Sequence, residues 1–219
     1  MKKVIVNKSK TVSFDIDAQK GFTPLCPDEL PVNEGHLIVD ECNKSATKAK
    51  YRYASKDAHP YNGLWTATSE KPQFSPVGLP NVDIHWNKHC VVGTIGFELI
   101  DGLPKMSEYD FFVYKGAEKD LHPYSPIYHD LAKKISTGVI EKAKFDGVNT
   151  FIINGLALNY CAGIGALDLN DAGFQVIVNL GGTRGIGSKE ELDKYIEMLK
   201  SKGIIIVESA DEIEIDYWN

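Results

Sequence analysis

The feature that most constrains the fold of this chain is a series of short, largely apolar segments that alternate with stretches of helical periodicity. Segments 150–153, 175–178 and 204–207 show no regular alternation of polar and apolar residues, so both faces of each strand are expected to be buried. Apolar residues at helical spacing occupy the intervening stretches 162–172 and 189–202. This order predicts an α/β fold, with a mainly parallel, six-stranded, Rossmann-like sheet and helices on both faces.

The whole chain is expected to form one domain, residues 1–219, because it contains no internal repeat and no low-complexity linker. A short strand at 4–6 and the polar residues after it predict an N-terminal extension, residues 1–10. Residues 60–88, rich in Pro, Gly, Asn and aromatics, predict a long functional loop. Further predicted elements are strands at 11–17, 51–55 and 111–114 and helices at 35–48 and 137–145.

Composition excludes several classes of partner. Lys and Arg total 24 against 30 Asp and Glu, for a net charge of −6, which argues against binding to nucleic acid. No apolar run approaches the ~18 residues of a membrane span, so no membrane partner is expected. The four cysteines lie far apart without a Cys-x-x-Cys pair, which favours a reduced, cytoplasmic chain.

A glycine-rich segment at 181–187 is similar to a pyrophosphate-binding turn, because it follows a predicted strand and precedes a predicted helix. Too few residues follow it to build the remaining strands and helices of a dinucleotide-binding domain. We therefore interpret the segment as a tight strand-to-helix turn without a cofactor.

Catalytic residues in a parallel sheet are expected at the carboxyl ends of the strands. Asp17 follows the first main strand, Lys115 follows 111–114, and Cys161 opens a helix after 150–153. The amino end of a helix favours a thiolate, a nearby carboxylate can accept its proton, and a lysine can balance the charge. Asp17, Lys115 and Cys161 therefore form a candidate catalytic set, with backbone N–H groups of the same turn available to an oxyanion.

A metal site is predicted from a second group of residues at strand ends. Asp57 and His59 are two residues apart, which places both on one face of an extended segment, and His89 follows at the far end of the long loop. One carboxylate and two imidazoles suit Zn²⁺, Fe²⁺ or Mn²⁺ and leave positions for water and substrate. His85 is an alternative ligand by composition.

Five motifs occur in a fixed order along the chain. They are Asp17-Ala18-Gln19-Lys20-Gly21-Phe22, Asp57-Ala58-His59-Pro60, Trp86-Asn87-Lys88-His89-Cys90, Lys115-Gly116, and Gly155-Leu156-Ala157-Leu158-Asn159-Tyr160-Cys161. In this order the chain resembles the nicotinamidases of the isochorismatase-like cysteine hydrolase superfamily. The metal pair together with the Trp-x-x-His-Cys segment distinguishes the nicotinamidases from the metal-free isochorismatases.

The resemblance implies an isochorismatase-like fold and the hydrolysis of nicotinamide to nicotinate and ammonia in NAD salvage. Asp17 would take the proton of Cys161, Lys115 would stabilise the charged pair, and the thiolate would form a thioester with the substrate. The N–H groups of Ala157 and Cys161 would form the oxyanion hole, and the peptide bond between Leu156 and Ala157 would be cis.

The same resemblance implies a divalent metal, with Zn²⁺ as the first choice and Fe²⁺ or Mn²⁺ as alternatives, held by Asp57, His59 and His89. The metal would bind the pyridine nitrogen of the substrate, and Phe22 and Trp86 would flank its ring. A homo-oligomer is expected by analogy with the superfamily.

Several positions depart from the family pattern without removing a reacting group. Asn159 and Asn179 stand where Asp is common, and Ala162 stands where Val is usual. A fourth protein ligand to the metal is not identified, and Glu70 and Asn62 are the candidates.

Two other functions stay open. The first is a related cysteine amidohydrolase that acts on another small carboxamide, because the loop at 60–85 differs from the commonest versions in the family. The second is a non-enzymatic protein that binds a ligand or a metal on the same scaffold. Substituted catalytic residues would favour the second function, and none is substituted.

Overall fold

The computed structural model describes residues 3–216 of the chain. Its strands are β1 (Val4–Val6), β2 (Thr11–Ile16), β3 (Tyr51–Asp57), β4 (Pro76–Leu79), β5 (Val82–Ile84), β6 (Phe111–Lys115), β7 (Thr150–Leu156), β8 (Gln175–Arg184), β9 (Ile205–Val207) and β10 (Ile213–Ile215). Its α-helices are α1 (Val39–Thr47), α2 (Val139–Phe145), α3 (Cys161–Asp171) and α4 (Lys189–Ser201). No helix within 3–216 is both long and apolar enough to cross a membrane.

The predicted helices are present with small shifts at their ends. The helix expected at 35–48 begins as a 3₁₀ turn, Gly35–Ile38, and continues as α1. The start of α4 is fixed by a capping box, in which the Ser188 hydroxyl accepts from the Glu191 N–H at 3.3 Å and the Glu191 carboxylate accepts from the Ser188 N–H at 2.8 Å. This exchange satisfies two N–H groups that would otherwise lack partners.

Six strands form the central sheet, in the order β6-β3-β2-β7-β8-β9, and every neighbouring pair is parallel. The predicted α/β fold with a six-stranded sheet is therefore confirmed. The chain builds β2, β3 and β6 toward one edge and then β7, β8 and β9 toward the other. The order reverses between β2 and β7, which is where sheets of this kind bind their ligands.

The two faces of the sheet differ in chemistry. Along β2, Val12, Phe14 and Ile16 pack with buried side chains of α2, α3 and α4, and each large apolar side chain buried there contributes about 1.5–3 kcal/mol. The alternate residues Ser13 and Asp15 face a buried polar network beneath α1. In this network, the Asn154 amide lies 3.3 Å from the Ser13 hydroxyl and 3.4 Å from Asp15.

A second small sheet closes the far side of the molecule. β1 and β10 pair in parallel, with Val4 opposite Ile213, and Val6 packs with Ile152 and Ile177 of the central sheet. The strand predicted at 4–6 is thus present, whereas β10 was not predicted.

Two of the sequence interpretations need correction. The stretch 60–88 is not an unbroken loop, because β4 and β5 form an antiparallel hairpin within it. The first part of the segment 181–187 continues β8 as far as Arg184 rather than turning toward a helix. The ladder between β7 and β8 shifts register there, and a Cβ on Gly182 would lie 2.3 Å from the Asn154 side-chain oxygen. Glycine is needed at this position for that close approach.

Candidate active site

Lys115 lies at the centre of a buried group formed where four strands of the sheet end. Its ammonium lies 3.0 Å from Asp17 Oδ2 and 3.6 Å from Cys161 Sγ, and it donates hydrogen bonds to Asp57 Oδ1 and to the carbonyl of Pro123. The three residues predicted as a catalytic set therefore lie together. Although the two carboxylates and the thiol are close enough to share a metal, the ammonium already lies among them.

Asp17 owes its orientation to the neighbouring strand. It follows β2 directly and takes a left-handed backbone conformation, with φ of 47°, which is uncommon for a residue with a side chain and is concentrated at functional sites. The hydroxyl of Ser55 on β3 donates to Asp17 Oδ1 at 2.6 Å, and the Asp17 N–H donates to the Ser55 carbonyl at 3.1 Å. These bonds aim Oδ2 at Lys115.

The charges in this group set the resting protonation states. Burial would lower the pKa of Lys115, but Asp17 and Asp57 outweigh it and raise that pKa well above its ordinary value. Burial, with the Asp57 charge nearby, raises the pKa of Asp17 even though Lys115 opposes the shift. Burial also raises the pKa of Cys161 well above its usual range. Cys161 therefore rests as a thiol, beside a carboxylate with increased affinity for a proton.

The two imidazoles predicted as metal ligands turn their Nε2 atoms toward Asp57. His59 Nδ1 donates to the Gly116 carbonyl at 3.0 Å, and His89 Nδ1 donates to the Asn87 carbonyl at 2.6 Å. These partners assign the ring protons to Nδ1. The Nε2 atoms lie 3.5 Å (His59) and 3.9 Å (His89) from Asp57 Oδ2. Burial, reinforced by His59, lowers the pKa of His89 to about 3, so that ring is neutral.

This arrangement fits a cation. Asp57 Oδ2 and the two Nε2 atoms converge among buried side chains, and His59 Nε2 is buried without a hydrogen-bond partner in the described chain. A buried polar atom without a partner is costly. One carboxylate with imidazoles is a donor set that suits Zn²⁺, Fe²⁺ or Mn²⁺. Asp57, His59 and His89 therefore fit the divalent metal that the sequence predicted.

A third imidazole, missed in the sequence analysis, lies beside these two. His122 is 4% exposed, and its ligand atom lies within 4.8 Å of those of His59 and His89. Within residues 3–216, neither of its ring nitrogens has a hydrogen-bond partner. Burial, with the two other imidazoles adjacent, lowers the pKa of His122 well below its ordinary value. The one signal in the sequence is its place, a few residues after Lys115 in the segment that leaves β6.

The other candidate ligands from the sequence lie elsewhere. His85 hydrogen-bonds through Nδ1 to the Trp65 carbonyl at 3.2 Å and lines a separate pocket, and Glu70 and Asn62 are exposed. Neither His85 nor Glu70 belongs to a ligand cluster found in the described chain. The ring of Trp65 instead packs on the imidazoles, 4.4 Å from that of His59 between centroids.

A small pocket with a cavity volume of about 20 Å³ extends from Cys161 to the imidazoles. Phe22 and Trp86, predicted to flank an aromatic ring, lie in its walls. The remaining lining is mostly aromatic and apolar and comprises Leu30, Tyr124, Ala157, Tyr160 and Ile186, with Asp57, His89, His122 and Cys161 as the reactive or polar members. Mostly apolar and aromatic walls with a few polar groups are typical of a site for a small molecule.

The turn before Cys161 has the predicted backbone features. The peptide bond between Leu156 and Ala157 is cis. Cys161 is the first residue of α3, so its N–H has no partner inside the helix. Asn159 exchanges two hydrogen bonds with Ile186, at 2.8 and 3.0 Å, and these tie the turn to the segment after β8.

Comparison with known proteins finds nicotinamidases and a pyrazinamidase among the similar chains. No family model matches the chain. The curated nicotinamidase of Acinetobacter baylyi is 26% identical over 199 residues, which is 90% of this chain and 91% of that protein. The solved nicotinamidase and pyrazinamidase of Acinetobacter baumanii is 25% identical with a TM-score of 0.83, over 93% of this chain and 98% of that one. The pyrazinamidase of Pyrococcus horikoshii, solved in complex with zinc, is 29% identical with a TM-score of 0.72, over 90% of this chain and 98% of that one.

The parallel sheet places the chain in the class of proteins with an isochorismatase-like fold. Within this class the chain is a homologue of the nicotinamidases, and it is an amidohydrolase.

Proposed function

We propose that this protein hydrolyses nicotinamide to nicotinate and ammonia through a thioester on Cys161, with a divalent metal held beside the nucleophile. The observation that carries the proposal is the position of the Lys115 ammonium, in contact with Asp17, Asp57 and Cys161 at one end of the pocket. The nicotinamidase names of the similar proteins support the choice of substrate.

The first step is a proton transfer from Cys161 to Asp17. The thiol and the carboxylate are close enough to share a ligand, and the raised pKa of Asp17 makes it a better base than an ordinary aspartate. A thiolate formed without this transfer would place a third negative charge beside Asp17 and Asp57. Lys115 stabilises the thiolate while Asp17 holds the proton.

The thiolate then attacks the carboxamide carbon, and a C–S bond forms. The carbonyl oxygen becomes an oxyanion, for which the N–H groups of Ala157 and Cys161 are the proposed donors. When the C–N bond breaks, Asp17 returns its proton to the leaving ammonia. Water then attacks the thioester while Asp17 accepts a proton from it. The C–S bond breaks, Asp17 returns this proton to the Cys161 sulfur, and the acid product loses its own proton to solvent as nicotinate.

The end of the pocket away from Cys161 is proposed to position the pyridine ring of the substrate. Phe22 and Trp86 are proposed to flank it, and Asp57, His59 and His89 are proposed to hold the metal. When bound, the metal would supply a Lewis-acidic position for the pyridine nitrogen. The zinc named for the similar Pyrococcus horikoshii protein supports Zn²⁺ as the first choice, with Fe²⁺ and Mn²⁺ as alternatives.

The cellular setting is part of the same proposal. Cys26, Cys42, Cys90 and Cys161 are all free thiols, which supports the reducing cytoplasm. There the reaction would serve NAD salvage. We also propose that the chain forms one domain over residues 1–219 and assembles as a homo-oligomer.

The test is release of ammonia and nicotinate from nicotinamide by metal-stripped protein and by protein reloaded with Zn²⁺, Fe²⁺ or Mn²⁺. We expect turnover only after reloading. Benzamide, which lacks the ring nitrogen, and aliphatic carboxamides serve as comparison substrates. If an aliphatic carboxamide is hydrolysed faster than nicotinamide, the enzyme is a related amidohydrolase with another substrate. If the stripped protein is as active as the reloaded protein, metal dependence is excluded.

A further inference from the structure

We propose that His122 is a ligand of the metal in this protein, so that Asp57 and three imidazoles hold the ion. The inference rests on the proposed function for the presence of a metal. It goes beyond that function by assigning a ligand from the segment after β6, which lies outside the sequence motifs that supply Asp57, His59 and His89.

The backbone at His122 is fixed on both sides. Its N–H donates to the carbonyl of Asn81, in the turn between β4 and β5, at 3.0 Å. The carbonyl of the next residue, Pro123, accepts from the Lys115 ammonium at 3.2 Å. The segment is therefore held between the hairpin and the catalytic lysine, which gives His122 the preorganised position that a ligand needs.

The side chain of His122 has a chemical need that ligation would meet. It is 4% exposed, and both of its ring nitrogens lie buried without a hydrogen-bond partner in the described chain. Buried imidazoles normally satisfy at least one nitrogen. The ring instead lies nearly parallel to that of His59, with centroids 5.1 Å apart and an 11° angle between planes, and one ligand atom is within 4.8 Å of those of His59 and His89.

A role in packing alone explains these observations less well. The ring also lies nearly parallel to that of Trp86, at 6.1 Å between centroids, so an aromatic side chain without nitrogen could fill the same space. The competing chemical role is a hydrogen bond from His122 to the substrate, since the residue lines the pocket. That role requires substrate, whereas ligation does not.

The experiment therefore measures metal binding without substrate. The dissociation constant for Zn²⁺ is determined by competition with a chelator for the full-length wild-type protein, His122→Phe and His122→Asn. The Phe variant keeps an aromatic ring. If that larger ring does not allow folding, the Asn variant, with a smaller polar side chain, still tests the proposal. The matched control is His129→Asn, because His129 belongs to the same segment and lies outside the cluster. Zinc X-ray absorption then counts the imidazole ligands.

We expect Zn²⁺ to bind at least about tenfold more weakly to both His122 variants, since even groups that only orient ligands affect affinity by about 10- to 100-fold. X-ray absorption should report three imidazoles in the wild type and in His129→Asn, and two in the His122 variants. Unchanged affinity with two imidazoles in the wild type would overturn the proposal, and a raised KM for nicotinamide would then assign His122 to the substrate. Because the readout is metal binding, a failure to hydrolyse nicotinamide leaves this test intact.

Discussion

Lys115 donates a hydrogen bond to one oxygen of the Asp57 carboxylate, and the other oxygen of that carboxylate lies 3.5 Å from His59 Nε2. Burial alone would raise the pKa of Asp57, but the Lys115 ammonium outweighs burial and holds that pKa well below its ordinary value. Asp57 therefore stays ionised, and its two oxygens connect the buried group around Lys115 to the imidazoles of His59 and His89. A substitution at Asp57 is expected to damage both, so the two roles are better separated at other residues.

The nucleophile is tested at Cys161. Cys161→Ala is expected to abolish hydrolysis because no other thiol lines the pocket within the described chain. A change between two small side chains leaves little cavity at the turn, so thermal unfolding should shift little. The measurement is ammonia release together with a melting curve. Residual turnover at the wild-type rate would assign the nucleophile to another residue.

The base is tested at Asp17. Asp17→Asn is nearly isosteric and removes the group that accepts the thiol proton, so kcat should fall by about 10²- to 10⁴-fold or more. Ser55→Ala removes the 2.6 Å hydrogen bond to Asp17 Oδ1 and should cause a smaller loss, because the base stays but its orientation relaxes. Steady-state kinetics of both variants measure these two losses. Wild-type activity in the Asp17→Asn variant would exclude the proposed base.

The buried ammonium is tested at Lys115. Lys115→Met keeps much of the side-chain volume but leaves Asp17 and Asp57 buried without their cation, which is expected to cost about 3–5 kcal/mol of unfolding free energy near neutral pH. Without Lys115 the folded-state pKa values of the carboxylates rise above their unfolded values, so stability is regained as the pH falls and the carboxylates take up protons.

Urea unfolding of Lys115→Met at neutral and at mildly acidic pH measures this effect. The control is Lys189→Met, because Lys189 pairs with Asp193 at the surface, where its side chain is 87% exposed, and such pairs contribute little. Equal stability of the two variants at neutral pH would contradict the central position assigned to Lys115.

The metal ligands are tested at His59. His59→Ala is expected to lower the bound metal and the rate of nicotinamide hydrolysis together, because it removes one imidazole from the cluster. His85→Ala removes the competing candidate, whose ring hydrogen-bonds to the Trp65 carbonyl instead, and should retain the metal. Elemental analysis of both proteins after dialysis provides the measurement. Full metal occupancy in His59→Ala would show that the ligand set is wrong.

Acid stability is tested at Glu41, on the side of the molecule away from the pocket. Its carboxylate accepts from the N–H of Ala210 at 2.8 Å and the hydroxyl of Ser209 at 3.1 Å. Burial opposes the shift, but these bonds, with Lys44 and Asn179, lower the pKa of Glu41. Because the folded pKa is the lower one, the stabilisation is present above the unfolded value of about 4.3 and is lost as the pH falls through the folded value.

As the pH falls from about 6 to about 3, the unfolding free energy of Glu41→Gln should therefore decrease less than that of the wild type. Glu197→Gln is the control, since Glu197 forms an exposed pair with Lys200 on α4. Urea unfolding at each pH gives the comparison. Parallel pH profiles for the wild type and Glu41→Gln would show that these hydrogen bonds do not stabilise the charged form.

The sequence predicts the central sheet well, because a parallel sheet covered on both faces is one of few arrangements that bury continuous apolar strands. It does not predict β10 or the β4–β5 hairpin, whose strands have only three or four residues and take their conformation from distant partners. It also misses the polar layer beneath α1, because Asn154 and Asn179 stand inside apolar runs. Their amides contact each other at 3.2 Å only once β7 and β8 have paired.

The candidate site also contains some residues that the sequence predicts and others that it misses. Asp17, Lys115 and Cys161 follow strands, so parallel pairing alone brings them to one edge. His122 and Trp65 belong to irregular segments, where the sequence has no period from which to predict a position. Their places depend on contacts such as the hydrogen bond from the His122 N–H to Asn81, which no local pattern encodes.

The pairing of β1 with β10 also bears on how the chain folds as it is synthesised. β1 is made well before its partner, because most of the described chain lies between β1 and β10. Until then, Val6 has no strand beside it, and the apolar surface around Ile152 and Ile177 lacks part of its cover. The nascent chain therefore carries an unpaired strand edge until β10 has been made, and a ribosome that stops before Ile213 releases a product suited to capture by chaperones.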